Sequence, residues 1–253
     1  MPDIRSTSIT DAWLNAVQLT SSEPSREVLN LNVTVSDLED GVLTEDSAIR
    51  AALDTTLVAE GMAVVQTVAG TIFPTSLWNP LQPKEALFKR YTKIFPKVRK
   101  CLKNRRGTYF QRLIHYPNAD HTGFNQLKHV VETYLSGNHR RSALQASVIV
   151  PELDLNNARQ QGFPCMQQVA FVPDAESETL HIVGFYPLQY LFERAYGNYL
   201  GLIQLGRFMA HEMHLNLTAM TCVTTIAVLE VSPNKVTPLL DLRQQEPVEE
   251  HVS

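Results

Sequence analysis

The chain has 253 residues, of which 44% are hydrophobic and 19% charged, and its formal net charge is −4. This composition is typical of a globular protein and excludes wholesale disorder, and the small net charge indicates no particular partner. No apolar run reaches the roughly 20 residues that cross a bilayer, and the N-terminus lacks the layout of a signal peptide. Three widely spaced cysteines form neither a disulfide framework nor a zinc pattern. We therefore expect a cytoplasmic protein that binds no membrane.

The first eighty residues predict two helices, one strand and a loop. Residues 10–20 carry apolar side chains at helical spacing, whereas residues 29–35 alternate between apolar and polar, which is typical of a half-buried strand. Residues 47–61 predict a helix that ends at a glycine. A proline-rich loop is expected over residues 71–83. No motif in this part of the chain indicates a function.

A basic segment follows at residues 84–106. It holds ten of the 22 Lys and Arg residues of the chain and one acid, Glu85. We expect a helix that Pro96 interrupts. Three aromatic residues lie among the charges: Phe88, Tyr91 and Phe95. Two interpretations stay open, because the aromatics either stack on the bases of a bound nucleic acid or form the buried face of a helix whose lysines are solvated.

The second half of the chain predicts a mixture of helices and strands. A helix over residues 124–137 places one apolar stripe on a single face: Phe124, Leu127, Val130, Val131 and Leu135. Strands are expected at 143–150, 164–172, 178–189 and 221–231, and a long apolar helix at 197–215. The second and third of these strands pair antiparallel through an acidic turn. Because helices and strands mix without strict βαβ alternation, we predict an α+β fold with one large, mostly buried sheet.

Two patterns on the last predicted helix are interpreted as structural. Gly197 and Gly201 lie four residues apart and predict close helix packing rather than a phosphate-binding loop. His211 and His214 are three residues apart, whereas a zinc-binding histidine pair on a helix stands four apart. We therefore predict no metal site.

Several short motifs occur in a fixed order between residues 107 and 229: Gly107-Thr108-Tyr109, Phe124-Asn125-Gln126-Leu127, His139-Arg140-Arg141, Pro164-Cys165, Asn198 and Met209-Ala210. Their order and spacing resemble the thymidylate synthase and pyrimidine nucleotide hydroxymethylase family. The resemblance implies one domain over residues 1–253, built as a large mixed sheet packed with long helices. It also implies that one face of the sheet forms a homodimer.

The resemblance implies an enzyme that adds a methyl or hydroxymethyl group to carbon five of a pyrimidine nucleoside monophosphate. Cys165 would be the nucleophile that adds to carbon six, and this chemistry requires a thiolate. Arg140 and Arg141 would bind the phosphate across the homodimer, Asn198 would orient the base, and Tyr109 would contact the substrate. Methylenetetrahydrofolate is the implied one-carbon donor, and no metal is implied.

Each of these residues also has a purely structural interpretation. Cys165 is of a residue type that is often buried without a function. Arg140 and Arg141 suit a solvated turn after a helix C-terminus. Asn198 suits the N-cap of a helix.

Other positions depart from the family pattern. The family's phosphate-binding Arg falls near Pro187, its folate-anchoring Asp near Tyr190, and its late ribose-binding pair at Val228 and Glu230. Arg194 is near enough to replace the missing Arg if the alignment shifts. Two alternatives to an enzyme therefore stay open. One is a catalytically inactive nucleotide-binding or scaffold protein of the same fold, and the other is a nucleic-acid-binding protein that uses the basic segment.

Overall fold

The computed structural model describes residues 1–38, 43–118, 122–157 and 163–244. In this part of the chain the fold is α+β with one mixed sheet, as predicted, and the sheet has six strands rather than the five expected. The strands are β1 (Asp3–Ser6), β2 (Glu27–Val35), β3 (Gln145–Ser147), β4 (Gln168–Asp174), β5 (Thr179–Tyr190) and β6 (Asn216–Val228). The helices are α1 (Ile9–Ser22), α2 (Ser47–Ala59), α3 (Val65–Ile72), α4 (Lys84–Val98), α5 (Tyr109–Ile114), α6 (Gln126–Leu135), α7 (Pro151–Asp154), α8 (Tyr196–Met213) and α9 (Pro233–Gln244). None of the helices described is long and apolar enough to span a membrane.

The sheet has the strand order β1-β2-β6-β5-β4-β3. The pairs β1–β2 and β5–β6 are parallel, and the other neighbours are antiparallel. The predicted hairpin of β4 and β5 is present, with Asp174 opposite Thr179 next to the acidic turn. Helix α8 connects the parallel strands β5 and β6, and strands from both ends of the chain meet where β2 pairs with β6.

One face of the sheet, the inner face, carries the core. Side chains alternate along each strand, so Ile182, Gly184 and Tyr186 of β5 are buried on this face. Gly184 leaves room for Leu202 of α8, since a Cβ there would lie 2.7 Å from a methyl group of that leucine. Helix α8 therefore rests directly on the centre of the sheet.

Helices α3 and α8 pack at close range through two glycines. A Cβ atom on Gly197 would lie 2.5 Å from the Cβ of Val68, and one on Gly201 would lie 2.9 Å from the carbonyl oxygen of Ala69. The prediction that this glycine pair serves helix packing is confirmed. Helix α3 itself was not predicted, although Val65, Val68, Ala69 and Ile72 have helical spacing, because its eight residues adjoin the proline-rich loop.

The basic segment forms a helix, but Pro96 does not interrupt it. Helix α4 runs to Val98 with Pro96 in its last turn, where a proline removes only one backbone hydrogen bond. Phe88 and Tyr91 are 8% and 3% exposed, and Tyr91 packs edge-on against Phe110 with 4.7 Å between ring centres. The aromatics thus form the buried face of the helix, as the second interpretation of the segment predicts.

Two predictions in the second half differ from the structure. Strand β3 spans three residues rather than eight, because residues 141–143 form a 3₁₀ turn before it and α7 starts at Pro151. Phe124 and Leu135 were assigned to the buried stripe of α6, yet they are 43% and 50% exposed. Phe124 precedes the N-cap Asn125 and Leu135 is the last helical residue, so neither lies over the core.

Candidate functional site

Cys165 and Tyr109 meet at the start of strand β4. Cys165 lies three residues before β4 and is half-buried, and its backbone N–H donates to the Tyr109 hydroxyl with 3.3 Å between N and O. The same hydroxyl also hydrogen-bonds the Cys165 thiol. Tyr109 is the first residue of α5, which Thr108 caps by accepting from the N–H of Gln111. Two residues predicted from separate motifs are therefore in contact.

Arg194 supplies a positive charge beside this pair. It lies in a π-helical turn, residues 191–195, between β5 and α8, and its charge lowers the pKa of both Cys165 and Tyr109. Its Nη2 atom is 2.9 Å from Oε1 of Glu193, which is also 3.6 Å from Nζ of Lys103. Arg194, which the sequence analysis named as a substitute for the Arg missing at Pro187, therefore lies beside Cys165.

The thiol of Cys165 is nevertheless harder to ionise than an ordinary thiol. Burial raises its pKa, Arg194 and the hydrogen bond from Tyr109 partly offset that rise, and Glu193 adds to it. Burial likewise raises the pKa of Tyr109. Near neutral pH the resting site therefore holds mainly a thiol and a phenol, and the thiolate fraction grows as the pH rises.

Glu230 holds the turn that carries Arg194. Its carboxylate accepts from the backbone N–H groups of Phe192 and Glu193, at 3.3 and 2.5 Å, and burial raises its pKa. The alignment placed Glu230 in the ribose-binding pair of the family. In this structure the side chain instead satisfies two backbone donors at the start of the π-helical turn.

A buried ion pair joins α5 to α7. The Arg112 guanidinium contacts both carboxylate oxygens of Asp154, at 3.1 and 3.2 Å, and both side chains are less than a tenth exposed. Arg112 also donates to the Val148 carbonyl at 3.2 Å and lies over the ring of Phe163, 5.4 Å from its centre. Because that ring packs against Tyr109 at 5.2 Å, the ion pair supports one wall of the site.

Three adjoining cavities surround these residues. The cysteine pocket, at Pro164, Cys165 and Gln167, has a volume of about 210 Å³. The tyrosine pocket, at Lys103, Tyr109 and Arg194, has about 150 Å³. The arginine cleft, at Arg99, Arg105 and Arg106, has about 540 Å³. Phe163 borders the first two and Asp154 borders the first and third, so the cavities together offer the space of a typical small-molecule site.

Arg140 and Arg141 lie away from Cys165 of the same chain. Both are exposed in the turn before β3, and Arg141 is close to Asp174, whose pKa is lowered by a hydrogen bond from Ser177 and less strongly by that arginine. Asp174 ends β4, whereas Cys165 precedes its start. Since β4 has seven residues, about 20 Å separates the two ends. Within one chain the arginine pair does not reach the cysteine.

Asn198 is buried near the start of α8 but does not cap it. The N-cap of α8 is Ala195, so the interpretation of Asn198 as a helix cap is wrong. The residue is 3% exposed, and it is not among the residues that line the three cavities.

Several residues of the site had no signal in the sequence. Arg112 follows Tyr109 by three positions, the spacing of one helix face, but the short α5 was not predicted. Asp154 and Glu230 act through partners about forty positions away, which no local pattern indicates. No protein-family model matches the chain, and no curated protein matches it either. Among the residues described, no three His, Cys, Asp or Glu side chains gather as metal ligands.

Proposed function

We propose that this protein is a divergent enzyme of the thymidylate synthase type, which acts on carbon five of a pyrimidine nucleoside monophosphate through a Cys165 adduct. The observation that carries the proposal is the meeting of Cys165, Tyr109 and Arg194 where the cysteine and tyrosine pockets adjoin. A nucleophile, a hydroxyl donor and a cation within one concave site are the groups that such an addition requires.

The chemistry starts with loss of the thiol proton to solvent. The Cys165 thiolate then forms a bond to carbon six, and the electrons of the C5–C6 double bond move to give an enolate on the ring. Carbon five becomes nucleophilic and takes a proton or a one-carbon electrophile. When carbon five loses its original hydrogen as a proton, the thiolate leaves and the double bond forms again. Arg194 stabilises the thiolate at each end of this sequence, and Tyr109 orients it.

Asn198 is the residue proposed to recognise the base. Its amide can accept from N3–H of uracil through Oδ1 and donate to the O4 oxygen through its NH₂ group. Cytosine presents an acceptor at N3 and a donor at N4, so an amide held in one orientation does not satisfy it equally. The burial of Asn198 is what would hold that orientation.

The outer face of the sheet is proposed as the dimer interface. On this face Ala170, Val183 and Thr221 lie in register across β4, β5 and β6, Phe185 pairs with Val223, and Val172 pairs with His181. All are at least partly exposed, although most are apolar, whereas α1 and α8 pack on the inner face. A homodimer through this face would cover them and would let Arg140 and Arg141 reach the site of the partner chain, since they lie too far from their own Cys165.

We expect Phe185→Glu to separate this dimer. The substitution would place a carboxylate in an apolar interface, which costs several kcal/mol when the charge has no partner. Light scattering after size-exclusion chromatography should show the wild type at twice the chain mass and the variant at the mass of one chain. Val58→Glu is the matched control, because Val58 is 62% exposed on α2 and should leave the dimer intact. A wild-type protein that runs as a monomer at tens of micromolar would refute the interface.

The one-carbon donor implied by the resemblance is methylenetetrahydrofolate, and the described residues around Cys165 fit it poorly. A pterin ring needs a free carboxylate or similar acceptor for its N–H groups. Asp154 is held by Arg112, and Glu193 by Arg194 and Lys103. Tyr190, at the position of the family's folate-anchoring Asp, offers a phenol instead. We therefore derive no step through folate.

A second candidate function follows from the raised pKa of Cys165. A thiol that stays protonated at neutral pH suits a catalytically inactive nucleotide-binding or scaffold protein of the same fold. Nucleic-acid binding by base stacking finds less support, because Phe88 and Tyr91 of the basic segment are buried. The two nucleotide-binding candidates share one site and differ in turnover.

Titration with dUMP, UMP, dCMP and CMP by calorimetry tests the site that both candidates need. One uracil nucleotide should bind in the micromolar range, and Asn198→Ala should weaken it about tenfold or more by removing two hydrogen bonds. The affinity for the cytosine nucleotides should change less, so discrimination between the bases falls. Asn216→Ala, at an exposed position on β6, is the control and should bind like the wild type. If none of the four nucleotides binds, both candidates are wrong.

A further inference from the structure

The arginine cleft contains more positive charge than the described residues neutralise. Its one described carboxylate, Asp154, is already engaged by Arg112 and also accepts from the Val150 N–H at 2.7 Å. Arg105 and Arg106 are exposed and form no ion pair within the described ranges, and neither does Arg99. Three guanidinium groups therefore line one concavity without an acidic partner from the residues described.

The backbone arranges these arginines around the cleft. Arg99 is the C-cap of α4, and its Nε donates to the Arg105 carbonyl at 3.1 Å, which folds the segment between them back on itself. Arg105 and Arg106 then precede Gly107, two residues before Tyr109. Like charges held close together repel each other, and an anion bound among them reduces that repulsion. Guanidinium groups bind phosphate oxygens in pairs, with a geometry that lysine does not offer.

We propose that the arginine cleft is a polyphosphate site, so that the ligand of this protein is a nucleoside di- or triphosphate rather than only a monophosphate. Three guanidinium charges match the three to four negative charges of a di- or triphosphate better than the two of a monophosphate. The volume of about 540 Å³ exceeds that of the cysteine pocket, which it adjoins at Asp154. The position of the pyrimidine base beside Cys165 rests on the proposed function, whereas the binding of phosphate groups in the arginine cleft does not.

Tripolyphosphate is the probe that tests the anion site alone. Calorimetry on the full-length protein should show tripolyphosphate binding more tightly than inorganic phosphate. Arg105→Ala/Arg106→Ala should weaken tripolyphosphate about 100-fold, at roughly tenfold for each charged contact. The control is Lys89→Ala/Lys93→Ala, which removes two exposed charges of α4 outside the cleft and should change the affinity less than about threefold. Urea unfolding should give both variants the stability of the wild type.

A second titration, with deoxyuridine triphosphate (dUTP), tests the polyphosphate site separately from the proposed base site. Tighter binding of dUTP than of tripolyphosphate, lost in Asn198→Ala, supports both. Equal binding of dUTP and tripolyphosphate, with the arginine dependence intact, supports the anion site and contradicts the base site. If tripolyphosphate does not bind, or the lysine control weakens it as much as the arginine variant, the polyphosphate site is refuted. It is also refuted if an eight-nucleotide single strand binds more tightly than dUTP and weakens equally in both variants.

Discussion

Replacing Cys165 with alanine is expected to abolish exchange of the carbon-five hydrogen of the bound uracil nucleotide, with a fall in rate on the order of 10⁴-fold or more. Only the adduct at carbon six makes that hydrogen exchangeable, so no other side chain can replace the thiolate. Release of tritium from 5-tritiated dUMP into water measures the rate and requires no one-carbon donor. Cys101→Ser is the matched control, because Cys101 is an exposed thiol that lines none of the three cavities, and its loss should leave exchange unchanged.

The same exchange should accelerate as the pH rises. Burial raises the pKa of Cys165, so the thiolate fraction increases through a range that lies above the ordinary thiol value of about 8.5. Arg194 lowers that pKa, and Arg194→Ala should therefore move the whole profile to higher pH. Arg194→Lys keeps the charge and should lie between the two. A variant profile that does not move would show that Arg194 does not act on the thiol.

The outcomes of the exchange assay also separate the two candidate functions. Exchange in the wild type that persists in Cys165→Ala would overturn the covalent mechanism. A wild type that binds dUMP but exchanges no hydrogen at any pH would favour the inactive nucleotide-binding protein.

The largest effect on stability is expected from the ion pair of Arg112 and Asp154. Asp154→Ala should lower the free energy of unfolding by about 3–5 kcal/mol, because it leaves the Arg112 guanidinium buried without its partner. Urea unfolding followed by circular dichroism measures the change. Asp3→Ala breaks the exposed pair with Arg5 and should change stability by no more than about 0.5 kcal/mol.

A double variant shows whether the loss comes from the unpaired charge. Arg112→Met/Asp154→Leu replaces both charges with apolar groups of similar size, and it should recover much of the stability that Asp154→Ala loses. If the double variant is as unstable as the single one, the pair contributes through packing of Phe163 rather than through charge. A single variant as stable as the wild type would contradict the burial of the pair.

The spacing of apolar residues along the sequence predicted those helices and strands that have one face on the core and one in solvent. Alternation over residues 29–35 and apolar spacing over residues 10–20 and 47–61 identified β2, α1 and α2, because each packs a single face on the core. The four-residue strand β1 was missed, since Ile4 is its one apolar residue and so short a segment shows no alternation. The prediction that Pro96 interrupts α4 was wrong. The rule that proline breaks a helix does not take into account that Pro96 lies in the last turn.

The candidate site was predictable only where it coincided with a motif. The order of short motifs predicted Tyr109 and Cys165 as site residues, and the structure places the two in contact. Arg194 was named only as a substitute, because its place beside the thiol depends on a π-helical turn that no spacing of residues indicates. The roles of Arg140, Arg141 and Asn198 in binding substrate stay predictions.

The position of β6 in the sheet has a consequence for how the protein is made. Strand β2 (residues 27–35) pairs along most of its length with β6 (residues 216–228). Most of the chain must therefore be synthesised before β2 can pair on that side. Until then the nascent chain exposes an unpaired edge rich in valine and leucine, the kind of edge that seeds aggregation. Contacts so distant along the chain also slow folding. Shortened chains that end before β6 should therefore depend on chaperones to stay in solution.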